Sequence, residues 1–169
     1  MKKFKLTSEF IVDISGVKLF RIKALIEFGN VKAGDLGGYI EKEENLSHMG
    51  DAWVSDDARI SGNAQVFGNA QVFGDAQVFG DARVSGDKDY AYAHGFGSVN
   101  RTTTFFRLKD GGVGVRCGCF YGTLAQFRDK IRETHGETKK AQEYLMLADL
   151  MELRFEEDEN EVGNRKYVE

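Results

Sequence analysis

A six-residue repeat occupies the middle of the chain and restricts its fold more than any other feature. Val54, Ile60, Val66, Val72, Val78 and Val84 recur at every sixth position. Ala52, Ala58, Ala64, Ala70, Ala76 and Ala82 keep a second slot. Gly62, Gly68, Gly74, Gly80 and Gly86 keep a third, each followed by Asn or Asp. In each unit a short strand alternates its side chains, so the Val and the Ala four positions later point inward. The Gly-Asn or Gly-Asp pair turns the corner, because these residues tolerate positive φ. Three units would close a triangular coil of roughly 18 residues, and coils would stack about 4.8 Å apart as parallel strands. A strict aliphatic slot is not the pattern of a disordered linker. Extended backwards, Gly50, Leu46, Ile40, Gly38 and Leu36 keep the frame. Lys42, Glu44 and His48 break it, so the first coil is expected to be irregular.

On such a coil only residues 18 apart share a face. Phe67, Phe73 and Phe79 are six apart, so they form a girdle around one coil, in outward slots next to Val. Exposed phenylalanines on three faces predict contact with another subunit or with the flanking units. Gln65, Gln71 and Gln77 form a matching polar set.

Open ends of such a stack need caps. At the N-terminus Phe10, Val12 and Ile14 alternate, Ser15-Gly16 makes a turn, and residues 17–26 return as a strand, which predicts a hairpin. After the repeats, residues 102–109 read as a strand, Asp110-Gly111-Gly112 as a turn, and residues 113–119 as the returning strand. Thr123 with Gln126 forms a capping box ahead of a helix with Leu124, Phe127 and Ile131 on one face. His135-Gly136 ends it. Thr138 opens a second helix carrying Ala141, Tyr144, Leu145, Ala148 and Met151, its stripe widened by Leu147, Leu150 and Leu153. The acidic tail from Glu156 is expected to fray. The predicted class is therefore mainly β with a C-terminal α+β part. Its expected divisions are a hairpin cap at 1–35, the repeat segment at 36–90 and an α+β cap at 91–169.

The 169 residues carry a net charge of −4 with no basic cluster beyond Lys2 and Lys3, which argues against double-stranded nucleic acid as a partner. No apolar run follows those lysines as in a signal peptide, and none approaches bilayer length. A cytoplasmic protein, in the host cell if phage-encoded, is the expectation. Cys117 and Cys119 are too close in sequence for an unstrained disulfide and read as reduced thiols. His135 is the only candidate to join them, short of a zinc set, so no metal is expected. Twenty glycines and no proline suit many tight turns whose amides are needed for ladders.

The aliphatic residue with a small residue four positions on resembles the hexapeptide-repeat family. That resemblance implies a short left-handed parallel β-helix of about three coils, and a homotrimer with its prisms side by side. Three further runs are similar to a family of small phage and prophage proteins: Gly34-Asp35-Leu36-Gly37-Gly38-Tyr39-Ile40-Glu41, Glu44-Asn45-Leu46-Ser47-His48 and Gly50-Asp51-Ala52-Trp53-Val54. So is Cys117-Gly118-Cys119-Phe120-Tyr121-Gly122-Thr123-Leu124. Members are often labelled putative transferases or polymer-forming proteins, labels that follow fold more than function. Small accessory phage proteins often oppose host defence, and the resemblance implies that setting.

Hexapeptide acyltransferases use a histidine base beside a coenzyme A groove. The candidates here are His94 and His48; His135 reads as a helix C-terminal residue. The repeat segment has few coils and no inserted loop to form that groove. There is no G-x-S-x-G elbow, phosphate loop or metal-ligand cluster, and no cofactor is implied. A binding surface remains. Tyr39, Trp53, Tyr90, Tyr92 and His94 with Arg59, Arg83 and Arg101 supply the aromatic and cationic groups that an anionic, nucleotide-like ligand requires. The favoured reading is a non-enzymatic binding protein that captures such a ligand or a host protein. An acyltransferase and a purely structural, self-associating protein are the alternatives.

Overall fold

The computed structural model describes residues 1–97 and 101–156. Beyond Glu156, the tail expected to fray lies outside the described residues. The chain opens with an antiparallel hairpin of β1 (Phe4–Val12) and β2 (Lys18–Ala24). Asp13 shapes its turn: Oδ1 accepts the Ser15 N–H at 2.8 Å and the Val17 N–H at 2.9 Å, as an Asx turn does. Phe4, Leu19, Ile22 and Ala24 are buried, whereas the alternating Phe10, Val12 and Ile14 face solvent.

β3 (Leu36–Ile40) pairs antiparallel with β2 and leads into the repeats. These form two-residue strands: β4 (Trp53–Val54), β5 (Arg59–Ile60), β6 (Gln65–Val66), β7 (Gln71–Val72), β8 (Gln77–Val78) and β9 (Arg83–Val84). Trp53 pairs in parallel with Gln71, Arg59 with Gln77, and Gln65 with Arg83. In the first turn of the segment the spacing widens, with Tyr39 opposite Arg59 and Leu46 opposite Val66.

The expected left-handed parallel β-helix of about three coils requires correction. The strands of the described residues fall into four separate sheets, and none forms a continuous parallel β-helix. Two physical reasons operate. Each hexad lends only two residues to a ladder before its Gly-Asn or Gly-Asp corner, so every ladder is short. The largest sheet, in the order β1-β2-β3-β5-β8, is mixed, because the N-terminal hairpin enters it antiparallel. The expected C-terminal hairpin is also larger than predicted. It is a four-stranded antiparallel sheet of β10 (Tyr90–Phe96), β11 (Arg101–Arg107), β12 (Val113–Cys117) and β13 (Phe120–Thr123).

Inside the repeat segment, the Val-slot residues from Val54 to Val84 and the Ala-slot residues from Ala52 to Ala82 are at most 1 % exposed. Each buried Val contributes about 1.5–3 kcal/mol. Where Lys42, Glu44 and His48 interrupt the pattern, a short 3-10 turn at Glu43–Asn45 intervenes. There the wholly buried Asn45 stands in for the missing ladder. Its amide donates to the Gly62 carbonyl at 3.1 Å and the Ala64 carbonyl at 2.9 Å, and its oxygen accepts the Lys42 N–H at 2.9 Å. Lys3 closes the same end: its ammonium donates to the Ala52 carbonyl at 2.6 Å and lies 4.5 Å from the Phe28 ring centroid.

α1 (Leu124–His135) and α2 (Lys139–Phe155) follow the C-terminal sheet. Thr123 and Gln126 form the reciprocal capping box, and Thr138 caps α2. The helices cover one sheet face: Phe105 and Val115 pack with Phe127, Ile131, Tyr144 and Ala148. Phe106 and Tyr90 belong to the core of the repeat segment. The sheet is tied to that segment by the Gln77 N–H, which donates to Thr104 Oγ1 at 2.9 Å, and by the Lys109 N–H, which donates to the Asp81 carbonyl at 2.9 Å.

Two outcomes follow from these contacts. Asn45→Ala leaves buried carbonyls without donors and should cost at least about 2 kcal/mol, read by urea unfolding. Burial pushes the Lys3 ammonium from 10.5 down to about 8, against a smaller upward pull from Asp51. Between pH 8 and 10 the unfolded chain therefore holds more protons, and this group makes stability rise with pH. Across that window the wild type should gain on the order of 1–2 kcal/mol relative to Lys3→Met, measured as the difference between their unfolding free energies.

Candidate functional site

A cleft of about 560 Å³ opens where the hairpin, the repeat segment and the C-terminal sheet meet. The β3-β5-β8 ladder supplies one wall, with Tyr39, Arg59 and Gln77 in register on successive strands. Asp57 and Asp75, from turn slots 18 residues apart, line the same wall. Ile11 enters from the hairpin, and His94, Arg101, Thr102 and Gly118 from the C-terminal sheet.

Two guanidinium groups give this cleft its chemistry. Neither the Arg59 nor the Arg101 guanidinium makes a hydrogen bond or ion pair among the described residues. Each therefore offers a planar fork of donors with no internal acceptor. Arg101 lies over the β12–β13 turn, where Gly118 has a φ of +58°, and a Cβ at that position would sit 2.5 Å from Arg101 Nη1. Glycine thus serves both the turn and the approach of the cation. His94 Nδ1 lies 3.0 Å from Thr102 Oγ1, its neighbour across the β10–β11 register. The carboxylates of Asp57 and Asp75 are exposed acceptors. The cleft can thus receive an anionic group between the arginines and hydroxyl or amino donors at the aspartates.

Behind the wall, Arg116 is buried with its guanidinium 4.3 Å from the Phe79 ring centroid. Asp13 Oδ2 lies 4.0 Å from Arg116 Nη2, and among the described residues Arg116 Nε has no hydrogen-bond partner. Burial lowers the Arg116 pKa and Asp13 raises it; the charge of Arg59 adds a smaller downward push. Through this pair the turn of the N-terminal hairpin is fastened to the C-terminal sheet.

Of the residues singled out in the sequence, Tyr39, Arg59, His94 and Arg101 come together here. The face of Tyr39 is already occupied by the Arg21 guanidinium, 4.4 Å from its ring centroid, and Arg21 also hydrogen-bonds the Tyr39 hydroxyl. Trp53 is buried against Phe28, with centroids 5.3 Å apart. Tyr90 is buried, and its hydroxyl donates to the Gln71 carbonyl at 2.6 Å. Desolvation pushes that phenol up to about 12. Tyr92 packs edge-on to Phe73 at 6.3 Å. Arg83 lines a separate cleft and donates to the Asn63 carbonyl at 3.0 Å. His48 accepts the Lys3 N–H at Nδ1, 3.0 Å away, pairs with Glu43 through Nε2 at 2.7 Å, and stacks on Phe4. With both nitrogens engaged it serves the fold.

In the phenylalanine girdle, Phe73 meets Tyr90 and Tyr92, and Phe79 meets Tyr121 and Arg116. Phe67 is 39 % exposed. Sequence reasoning missed Asp57, Asp75, Gln77, Ile11 and Thr102. The 18-residue rule, applied to Arg59 and its neighbours, pairs Asp57 with Asp75 and Arg59 with Gln77. No signal of that kind points to Ile11, Asp13 or Arg116. Among the described residues no group of three or more His, Cys, Asp and Glu side chains could hold a metal, and no helix is long and apolar enough to cross a membrane.

No protein-family model and no curated protein matches the chain.

The Asp13–Arg116 pair predicts an asymmetry. Asp13→Ala leaves the buried Arg116 without a counter-charge and also removes the two turn hydrogen bonds to Ser15 and Val17, and should cost about 3 kcal/mol or more, whereas Arg116→Met leaves Asp13 held by those two bonds and should cost less. Thermal unfolding of the two variants checks this.

Proposed function

We propose that this protein is a non-enzymatic binding protein that captures a small anionic, nucleotide-like molecule in the cleft between the repeat segment and the C-terminal sheet. The convergence of Arg59 and Arg101, both without internal acceptors among the described residues, carries this reading. Two cations left in that state favour a phosphate or carboxylate, which accepts in a bidentate manner. Asp57, Asp75 and Gln77 on the same wall suit ribose hydroxyls or an exocyclic amine. Recognition rests on polar groups, since the Tyr39 face is taken by Arg21. The resemblance to small phage and prophage proteins extends the proposal: the ligand is a host molecule, and its capture opposes host defence. Self-association through the repeat segment belongs to the same proposal, with the exposed Phe67 and Phe73 of the Phe67, Phe73 and Phe79 girdle as its contacts.

Native mass spectrometry of the protein purified from cells, followed by titration calorimetry with adenosine 5′-monophosphate, tests this. The expected result is saturable binding without turnover, weakened about tenfold or more by Arg59→Ala and by Arg101→Ala. Turnover of acetyl-coenzyme A that disappears in His94→Ala would replace the reading with an acyltransferase. Nucleotide binding indifferent to both arginine variants would remove it from this cleft.

A further inference from the structure

A second cleft, of about 300 Å³, lies on the far side of Arg101, between the β12–β13 turn and the two helices. Its chemistry differs from that of the first. Phe120, Phe127 and Ile131 make an apolar floor, and the charged residues of its lining, Arg101 and Lys130, are both cations. Among the described residues no carboxylate lines it, in contrast to Asp57 and Asp75 in the first cleft. Tyr144 closes the inner end. Its hydroxyl donates to the Phe96 carbonyl at 3.1 Å and is pushed up to about 12 by burial, so it stays neutral.

We infer that this cleft is a separate binding site for a small apolar carboxylate, of the aromatic or short branched-chain class. The apolar floor receives the hydrocarbon, and the carboxylate lies at the rim between Arg101 and Lys130. Arg101 has no internal acceptor among the described residues. Among the described residues Lys130 is held only by an exposed contact to Glu133 at 3.9 Å, and such surface pairs are weak. The volume is at the lower end for ligand sites, which favours a single ring over a nucleotide. The site shares Arg101 with the first cleft, but its floor, Lys130 and Thr134 take no part there, so variants at Lys130 and Thr134 test it separately from the proposed function.

Phenylacetate is a suitable probe, followed by amide chemical-shift mapping on the full chain. The expected result is a saturable shift confined to the β12–β13 turn and the facing helix surfaces. Thr134→Trp, an exposed lining position, should abolish it by filling the cleft. Lys130→Ala should weaken it about threefold to tenfold, and the neutral phenylacetamide should bind more weakly by a similar factor. Absence of a saturable shift, or equal affinity for the acid and the amide, would overturn the inference. So would undiminished binding by a folded Thr134→Trp variant.

Discussion

The column of valine and alanine side chains inside the repeat segment is the packing on which the remaining structure depends. Close packing makes the two slots unequal: a branched side chain fills the space along each short strand, and only a methyl fits where the walls converge. Overfilling an alanine slot would force the strands apart, and emptying a valine slot would leave a cavity with no partner atoms. Because both slots are at most 1 % exposed throughout, residues on either side of each valine are driven outward. That displacement presents Tyr39, Arg59 and Gln77 as a ladder on one wall.

Short strands have a cost that the ends must meet. With two residues per hexad in a ladder, each small sheet leaves backbone groups that other units must satisfy. At one end Lys3 and Asn45 supply these bonds from side chains. At the other, the C-terminal sheet supplies them through Thr104 and Lys109. These closures also create the candidate site, because the C-terminal sheet docks so that Arg101 and His94 line the same cleft as Arg59. The Asp13–Arg116 contact then draws the hairpin turn onto the same region. Ligand-facing groups and structural closures thus share elements, and His48 and Tyr39 are taken up by the second role.

Aromatic residues illustrate how composition misleads about sites. Trp53, Tyr90 and Tyr39 lie near the ends of the repeat segment in sequence, where stacking on a ligand is plausible. All three are buried, because a large ring removes more apolar surface from water when it seals an end than when it waits for a ligand. Charged side chains show the opposite tendency. Among the described residues the Arg59 and Arg101 guanidinium groups have no internal acceptor, although Asp57 and Asp75 line the same cleft, Asp57 lying 4.0 Å from Arg21.

What the chain discloses without its fold is what local periodicity and local chemistry encode. These are the two inward slots, the glycine corners, the eighteen-residue spacing of the paired strands, the Asp110-Gly111-Gly112 turn and the two capped helices. Each depends on residues within one turn or one repeat of each other. Long-range contacts settle whether those repeats make one continuous helix or several short sheets, since that depends on how the antiparallel hairpin enters the ladder and on the separate sheet that closes the other end. They also make the C-terminal sheet four-stranded rather than two-stranded, and place Arg59 in one cleft with Arg101 rather than with Arg83. Arg59 and Arg101 lie 42 positions apart in the chain, and no pattern within either segment specifies the docking of one on the other.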